Sequence, residues 1–348
     1  MVKNRIIGIS LFITLIFPAA GFSENLGILK GIFDPGNIEV SGRHAYIIEG
    51  ATVHVFSLPD LRLVRTFGRE GDGPGELKVT SWLANCLYLR PESIVVDSID
   101  KYIIFSKEGE VLKEERRSQN YPQSIPAGEV FIVRERKEEE EKQYSSINIL
   151  NPESQSSIEL YKQEFSAGFH QINALPDSIH YTVYNDRIYI EESPQGFVFE
   201  VFDLEGNRLN RIDKKYTPAR VNRRDREEAE ERIKIDPFTN NFPGGWEAMK
   251  KQTKFLFPNR FPSIRDFVVA DDKIYVQTFH RQDGLEEYVI LDLEGNLIKR
   301  ARLPESYKPG FTEEMMGSGI KYYSFSNDSY YYLKISEEWC ELHRENLK

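Results

Sequence analysis

Three side chains at matching places in a recurring unit are the ones in this sequence whose types could do chemistry together. Asn37, His180 and Asp266 each stand one residue before the apolar or aromatic anchor of a strand-like segment, namely Ile38, Tyr181 and Phe267. Amide, imidazole and carboxylate groups can ligate calcium or zinc, and they can also polarise a bound substrate. The same place in the other units is taken by Cys86, Pro122 and Tyr322, which interrupt the ring of ligands. Register matters here, because a slip of one residue turns every side chain of a strand to its other face. Polar residues that hold water in a channel are the simpler reading of the set. The remaining histidines, His44, His54, His170, His280 and His343, are scattered, and no HExxH, CxxC or GxSxG pattern occurs. The sequence thus favours a binding role and leaves an enzyme open.

The elements that must position these residues recur about every 45 residues, a period expected of four-stranded blades. Tyr181-Thr182-Val183-Tyr184-Asn185-Asp186-Arg187-Ile188-Tyr189-Ile190 matches Phe267-Val268-Val269-Ala270-Asp271-Asp272-Lys273-Ile274-Tyr275-Val276, with a looser copy at residues 323–333. Each reads as strand, tight acidic turn, strand, because Asn and Asp tolerate the left-handed backbone of such turns. A second turn follows in each unit, clearest in Asp203-Leu204-Glu205-Gly206-Asn207 and Asp292-Leu293-Glu294-Gly295-Asn296. Similar turns stand at Leu58-Pro59-Asp60, Lys107-Glu108-Gly109-Glu110 and Asn151-Pro152-Glu153. The aromatic content of 12% suits half-buried sheet surfaces.

Six units result, an all-β, six-bladed β-propeller of four-stranded antiparallel blades. The interval between the Gly206 and Gly295 turns is about twice the others. It holds a helical insertion at about 214–262, between blades four and five. Asn222 or Asp225 is expected to cap a helix running through Ile233, and a second helix is expected over residues 245–257. The last unit has room for three strands, while residues 26–33 lie upstream of blade one without a partner. The N-terminal strand is therefore expected to complete blade six and remove an open edge.

Thr66-Phe67-Gly68-Arg69-Glu70-Gly71-Asp72-Gly73-Pro74-Gly75-Glu76-Leu77 resembles the inter-blade segment of NHL-type six-bladed propellers. Over roughly residues 26–348 the strand rhythm is similar to exported bacterial proteins of the "6-bladed beta-propeller" type, which also carry an extra helical segment. The resemblance implies a rigid ring with its variable loops gathered on one face. Fourth-to-first connections and second-to-third hairpins share that face, and long excursions on a scaffold are where binding resides. Arg69 and Asp72 of the Gly-rich segment, Trp246 of the insertion and His280 of the loop at 279–284 are the candidate binding residues. The same fold class includes calcium-dependent lactonase-like hydrolases and zinc lyases with metals at the channel mouth. That likeness supplies the alternative, a metal-assisted hydrolase or lyase with calcium or zinc on Asn37, His180 and Asp266.

Residues 1–23 read as a secretory signal, with Lys3 and Arg5 ahead of an apolar run at 6–17 and small residues after it. The run is short for a bilayer span, so residues 24–348 are expected to be exported, periplasmic or extracellular, with no membrane span after cleavage. The net charge is −10, and loss of Lys3 and Arg5 leaves about −12. Such a surface repels phosphate backbones and argues against nucleic acid. Arg220, Arg223, Arg224 and Arg226 are followed by Glu227, Glu228, Glu230 and Glu231, which predicts a salt-laced helix face. Cys86 and Cys340 fall in blades two and six, too far apart for a disulfide. The acidic run at 138–141 reads as a solvated hairpin tip. The expected role is a monomeric binding module with a protein, peptide or glycan partner and no cofactor.

Overall fold

The computed structural model describes residues 23–80, 85–116, 123–139, 142–151, 153–154, 156–164, 171–175, 179–192, 196–306 and 321–348. Residues 1–22 of the expected signal at 1–23 lie outside the described residues, as do Pro122, His170, Glu140 and Glu141. The chain starts with strand β1 (Glu24–Ile28). Blade one follows as β2 (Pro35–Ser41), β3 (His44–Glu49), β4 (Thr52–Ser57) and β5 (Leu63–Phe67). Blade two is β6 (Cys86–Leu89), β7 (Ser93–Asp97), β8 (Lys101–Ser106) and β9 (Val111–Arg116). Blade three is β10 (Gln123–Ala127), β11 (Val130–Glu139), β12 (Lys142–Leu150) and β13 (Ser157–Glu164). A short β14 (Gln171–Asn173) leads to blade four, with β15 (Tyr181–Tyr184), β16 (Arg187–Glu191), β17 (Phe197–Asp203) and β18 (Arg208–Lys214). The insertion contributes α1 (Arg223–Ile235), α2 (Pro237–Asn241), α3 (Gly245–Gln252) and β19 (Lys254–Leu256). Blade five is β20 (Asp266–Ala270), β21 (Lys273–Gln282), β22 (Leu285–Asp292) and β23 (Leu297–Pro304). The chain returns through β24 (Tyr323–Ser326), β25 (Ser329–Ile335) and β26 (Cys340–Asn346).

Five blades are sequential meanders, and the sixth has the order β1-β26-β25-β24. The protein is a six-bladed β-propeller. The N-terminal strand does complete blade six, antiparallel to β26, with Glu24 opposite Arg344 and Ile28 opposite Glu341. It starts earlier and ends sooner than residues 26–33, because Leu29 and Ile32 leave the strand to enter the apolar junction with blade one. The Arg344 guanidinium pairs with the Glu24 carboxylate across the closure.

Burial follows from the radial arrangement. Among the described residues, six apolar clusters fill the six blade junctions, from Ile47, Phe56, Leu333 and Leu342 between blades six and one to Tyr288, Phe325 and Tyr330 between five and six. Neighbouring residues of one strand serve different junctions. Ile47 faces blade six while Tyr46 and Ile48 face blade two, as the two-residue strand period requires. Outer strands have one covered face at most, so Leu63, Leu112, Leu209 and Leu297 remain exposed. The hairpins between first and second strands have the expected backbone. Asn185 and Asp186, Asp271 and Asp272, and Asn327 and Asp328 all have φ between 48° and 56°. In the second turns, Asp203 accepts from the Asn207 backbone (2.7 Å) and amide (2.9 Å), and Asp292 does the same with Asn296. The repeated Asp-Leu-Glu-Gly-Asn is thus a structural turn.

The insertion forms a small unit of its own. Asn222 caps α1 and both halves of a capping box with Asp225 are made, so both expected cap residues act together. Arg223 and Arg224 reach Glu227 and Glu228 one turn on, at 2.7 and 2.8 Å. The second expected helix ends early, at Gln252. Residues 254–256 instead pair in parallel with β14, which ties the insertion to the chain between blades three and four. Ala174, Ile233 and Met249 form its buried core. Neither Cys86 nor Cys340 forms a disulfide, and burial pushes Cys340 up to about 12.

Candidate functional site

The innermost strands β10, β15, β20, β24, β2 and β6 follow one another around the axis. Each enters from the face that carries the fourth-to-first connections, the same face as the insertion and the β21–β22 hairpin. Residues at the start of these strands therefore line the channel mouth on that face.

His180 stands before β15, and its Nδ1 lies 2.8 Å from Glu191 Oε1 at the end of the paired strand β16. The backbone closes the same pair, with Glu191 N–H donating to the His180 carbonyl (3.1 Å). Glu191 is 1% exposed, and burial pushes its carboxyl above the ordinary value against the pull of His180. Burial also opposes a charged imidazole, yet the Glu191 carboxylate, with Asp266 behind it, lifts His180 above its usual range. On β20, burial acts to raise Asp266, but Lys321 and His180 hold it below the usual carboxylate range. Its Oδ1 accepts from Lys321 Nζ (2.6 Å) and its own neighbour's Phe267 N–H (2.7 Å), while Oδ2 accepts from Tyr323 Oη (2.6 Å). Lys321 also donates to the Phe267 carbonyl (2.7 Å).

Glu39 on β2 completes the group. It lies near Lys321, and its Oε2 accepts from the Ser324 hydroxyl at 3.4 Å. Burial pushes its carboxyl up to about 7, with Lys321 and Ser324 resisting. Imidazole, ammonium, phenol, hydroxyl and three carboxylates thus meet at the mouth over blades four, five, six and one. Sequence comparison found His180 and Asp266 and missed Lys321, Glu39, Glu191 and Tyr323. Lys321 sits two residues before its anchor Tyr323, one place off the alignment, and Glu191 comes from a second strand.

Of the three residues proposed as metal ligands, Asn37 is engaged elsewhere, while His180 and Asp266 interact with each other. Asn37 is 2% exposed and its amide is used on blade two, donating to the Leu87 carbonyl (3.0 Å) and accepting from Leu87 N–H (2.9 Å). It laces blade one to blade two. His180 and Asp266 are electrostatic neighbours, each already engaged. Among the described residues no group of three or more His, Cys, Asp or Glu side chains has metal-holding geometry. Cys86 and Tyr322 lie in the apolar junction of blades six and one, because the inner strands are tightly packed there.

The four candidate binding residues occupy three places on the insertion face. Arg69 pairs with Glu76 (2.9 Å), and Asp72 with Lys78 (2.9 Å), within the Gly-rich segment. That segment folds on itself. Glu76 Oε2 accepts from Gly73 N–H, and Lys101 donates to the Gly73 carbonyl, both at 2.8 Å. A side chain at Gly68 would meet the Ala51 carbonyl at 2.6 Å, so this glycine is required by close packing as well as by its φ of +83°. Trp246 is half-buried against Phe255, with ring centroids 5.2 Å apart, and Lys250 lies over its ring. His280 Nε2 is 3.0 Å from the Thr217 carbonyl, where the insertion leaves blade four, and its ring meets Tyr216 edge-on. Arg281 beside it reaches Glu228 of α1 at 3.6 Å.

No protein-family model matches the chain, and no curated protein matches it. Solved structures resemble it in chain course. A member of the DUF4221 family from Bacteroides vulgatus aligns at 10% identity and TM-score 0.48, covering 94% of this chain and 98% of that one. The calcium-binding protein regucalcin from Agrobacterium tumefaciens aligns at 10% identity and TM-score 0.43, covering 94% and 96%. BamB from Moraxella catarrhalis aligns at 12% identity and TM-score 0.28, covering 88% and 71%. The propeller follows from this chain's own strand order, and nothing about function follows from likenesses of this size. Among the described residues no helix is long and apolar enough to cross a membrane.

Proposed function

We propose that the protein is an exported binding module, periplasmic or extracellular and monomeric, that offers its insertion face to a protein, peptide or glycan. The observation that supports this reading is the asymmetry of the two faces. One carries the Gly-rich segment, the insertion, the β21–β22 hairpin and the charged channel mouth. The other carries short hairpins of two or three residues, among them Asn185-Asp186, Asp271-Asp272 and Asn327-Asp328, and short turns between third and fourth strands. The channel mouth offers both signs of charge within hydrogen-bonding reach, which suits a ligand rich in hydroxyls and amides. The test is a glycan array and a displayed peptide library screened with the wild type, with Arg69→Glu, with His280→Ala and with a chain lacking residues 214–262. Loss of a shared ligand in these variants, with unchanged melting of the point variants, is the expected outcome. Binding that survives all three changes refutes the assigned face.

The alternative is a metal-assisted hydrolase or lyase at the mouth, with calcium or zinc held by Asn37, His180 and Asp266. One observation favours it: His180 and Asp266 lie near enough to shift each other's charge. The engagement of Asn37 with Leu87 weighs against it. Metal analysis of protein purified without chelator decides the matter, and a chain with neither metal bound and no thermal shift on adding either removes this reading.

A further inference from the structure

One carboxylate of the channel mouth lacks a counter-ion of its own. His180 is matched by Glu191 at 2.8 Å, and Lys321 by Asp266 at 2.6 Å. Arg265, beside Asp266 in the chain, is taken by Glu286. Glu39 is left over. It makes no ion pair among the described residues, and its charged neighbour is Lys321, whose ammonium is already bonded to Asp266 and to the Phe267 carbonyl. Three carboxylates therefore face two cations, which leaves one negative charge unmatched when all are ionised.

The hydrogen bonding of Glu39 is incomplete as well. Oε2 accepts one long bond from the Ser324 hydroxyl, at 3.4 Å, and Oε1 has no partner among the described residues. A second carboxylate oxygen of the group is in the same condition: Glu191 is 1% exposed, and its Oε2 has no partner among the described residues. Enclosed acceptors left in this way are disfavoured unless a donor arrives from outside. There is access for one. The side chains of Asp266, His180 and Lys321 stay 19%, 25% and 27% exposed inside the ring, and Glu39 is half-buried. The passage is drawn tight beside Glu39, because β2 is bonded to both inner neighbours. Ile38 N–H donates to the Lys321 carbonyl and Val40 N–H to the Ser324 hydroxyl, both at 3.1 Å, while Asn37 holds Leu87 on the other side.

We propose that the channel mouth receives a primary alkylammonium, the side chain of a lysine on a peptide partner, which passes His180 and Asp266 and sets its ammonium on Glu39. This rests on the binding role proposed above and names the chemistry that the face selects. An ammonium suits the site better than a guanidinium does. Glu39 Oε2 already serves Ser324, so one oxygen is free, and the arginine fork seeks two. An unbranched methylene chain also suits a passage narrowed by the bonds of β2 to its neighbours. The net charge of −10 favours the approach of a cation.

The probe is Nα-acetyl-lysine methylamide, followed by titration calorimetry and ligand-observed NMR at about pH 8 and low salt. The norleucine, Nε-acetyl-lysine and arginine compounds of the same blocked form, glucosamine and calcium are the controls. The lysine compound is expected to saturate one site, with the other organic probes weaker by about tenfold or more and calcium unable to displace it. Glu39→Gln is expected to weaken the lysine compound by about tenfold or more while the melting temperature stays level or rises, so that lost binding is separated from lost folding. A norleucine or arginine compound that binds as tightly overturns the proposal. So does binding indifferent to Glu39→Gln, displacement by calcium, or a lysine compound that does not bind. Peptides or glycans held by a chain that ignores the lysine compound overturn this assignment and leave the wider role intact. Lysine-compound binding that depends on Glu39, in a chain that selects no peptide or glycan, supports the ammonium site and refutes the wider role.

Discussion

Glu39 makes the folded state sensitive to pH, and Glu39→Gln should remove that sensitivity. The carboxyl ordinarily titrates near 4.5 and is pushed up to about 7 by burial beside β24. The native state therefore holds this proton more tightly than the unfolded chain does. The group costs nothing below pH 4.5, and its cost grows as pH rises until the folded group has ionised above pH 7. The gap corresponds to about 3 kcal/mol at full extent, of which about 2–3 kcal/mol is gained between pH 5 and pH 8.5. Glutamine keeps an acceptor for the Ser324 hydroxyl and cannot ionise. Urea denaturation followed by tryptophan fluorescence should show the variant close to wild type at pH 5 and about 2–3 kcal/mol more stable at pH 8.5. A stability difference that does not change with pH, or a variant weaker than wild type at pH 8.5, would show that Lys321 fully compensates Glu39 and would refute the reasoning.

Asn37→Ala leaves the Leu87 N–H and carbonyl unpaired between blades one and two, and should cost about 2–4 kcal/mol in chemical denaturation. His180 should titrate above its ordinary 6.5 in an NMR pH series, because Glu191 raises it, and Glu191→Gln should bring it down. The stability from this pair is present below 6.5 and is lost as pH climbs through the higher folded value. Asn222→Ala removes half of a capping box and should raise amide exchange in α1 by several-fold, about 1 kcal/mol locally, with the blades unchanged.

The blades were legible because their turns carry backbone demands that few residues meet. Asn185-Asp186 and Asp271-Asp272 announce left-handed hairpins, and Gly206 and Gly295 announce the packed second turns. Ring closure was legible as a deficit, a last unit short of a strand and a leading strand short of a unit. The β14–β19 pairing was not, since a three-residue parallel contact between segments about 80 residues apart leaves no periodicity to read. The channel mouth was half legible. His180 and Asp266 share an alignment column, but Lys321 and Glu39 enter from neighbouring columns and are joined to them only by the radial packing of the ring. Asn37 had the right chemistry for a ligand, and only its contact with Leu87 reveals that its amide holds two blades together.

The pairing of Glu24 with Arg344 spans 320 positions. Blades one to five can assemble from local hairpins as the chain emerges, but the last sheet must wait for a segment made at the opposite end of synthesis. Until then β26 and β1 are two unsatisfied edges, each a template for another molecule. Concentration and rate of maturation should accordingly matter more for yield than blade stability does, and an exchanged first strand between two copies is the characteristic way for this chain to misassemble.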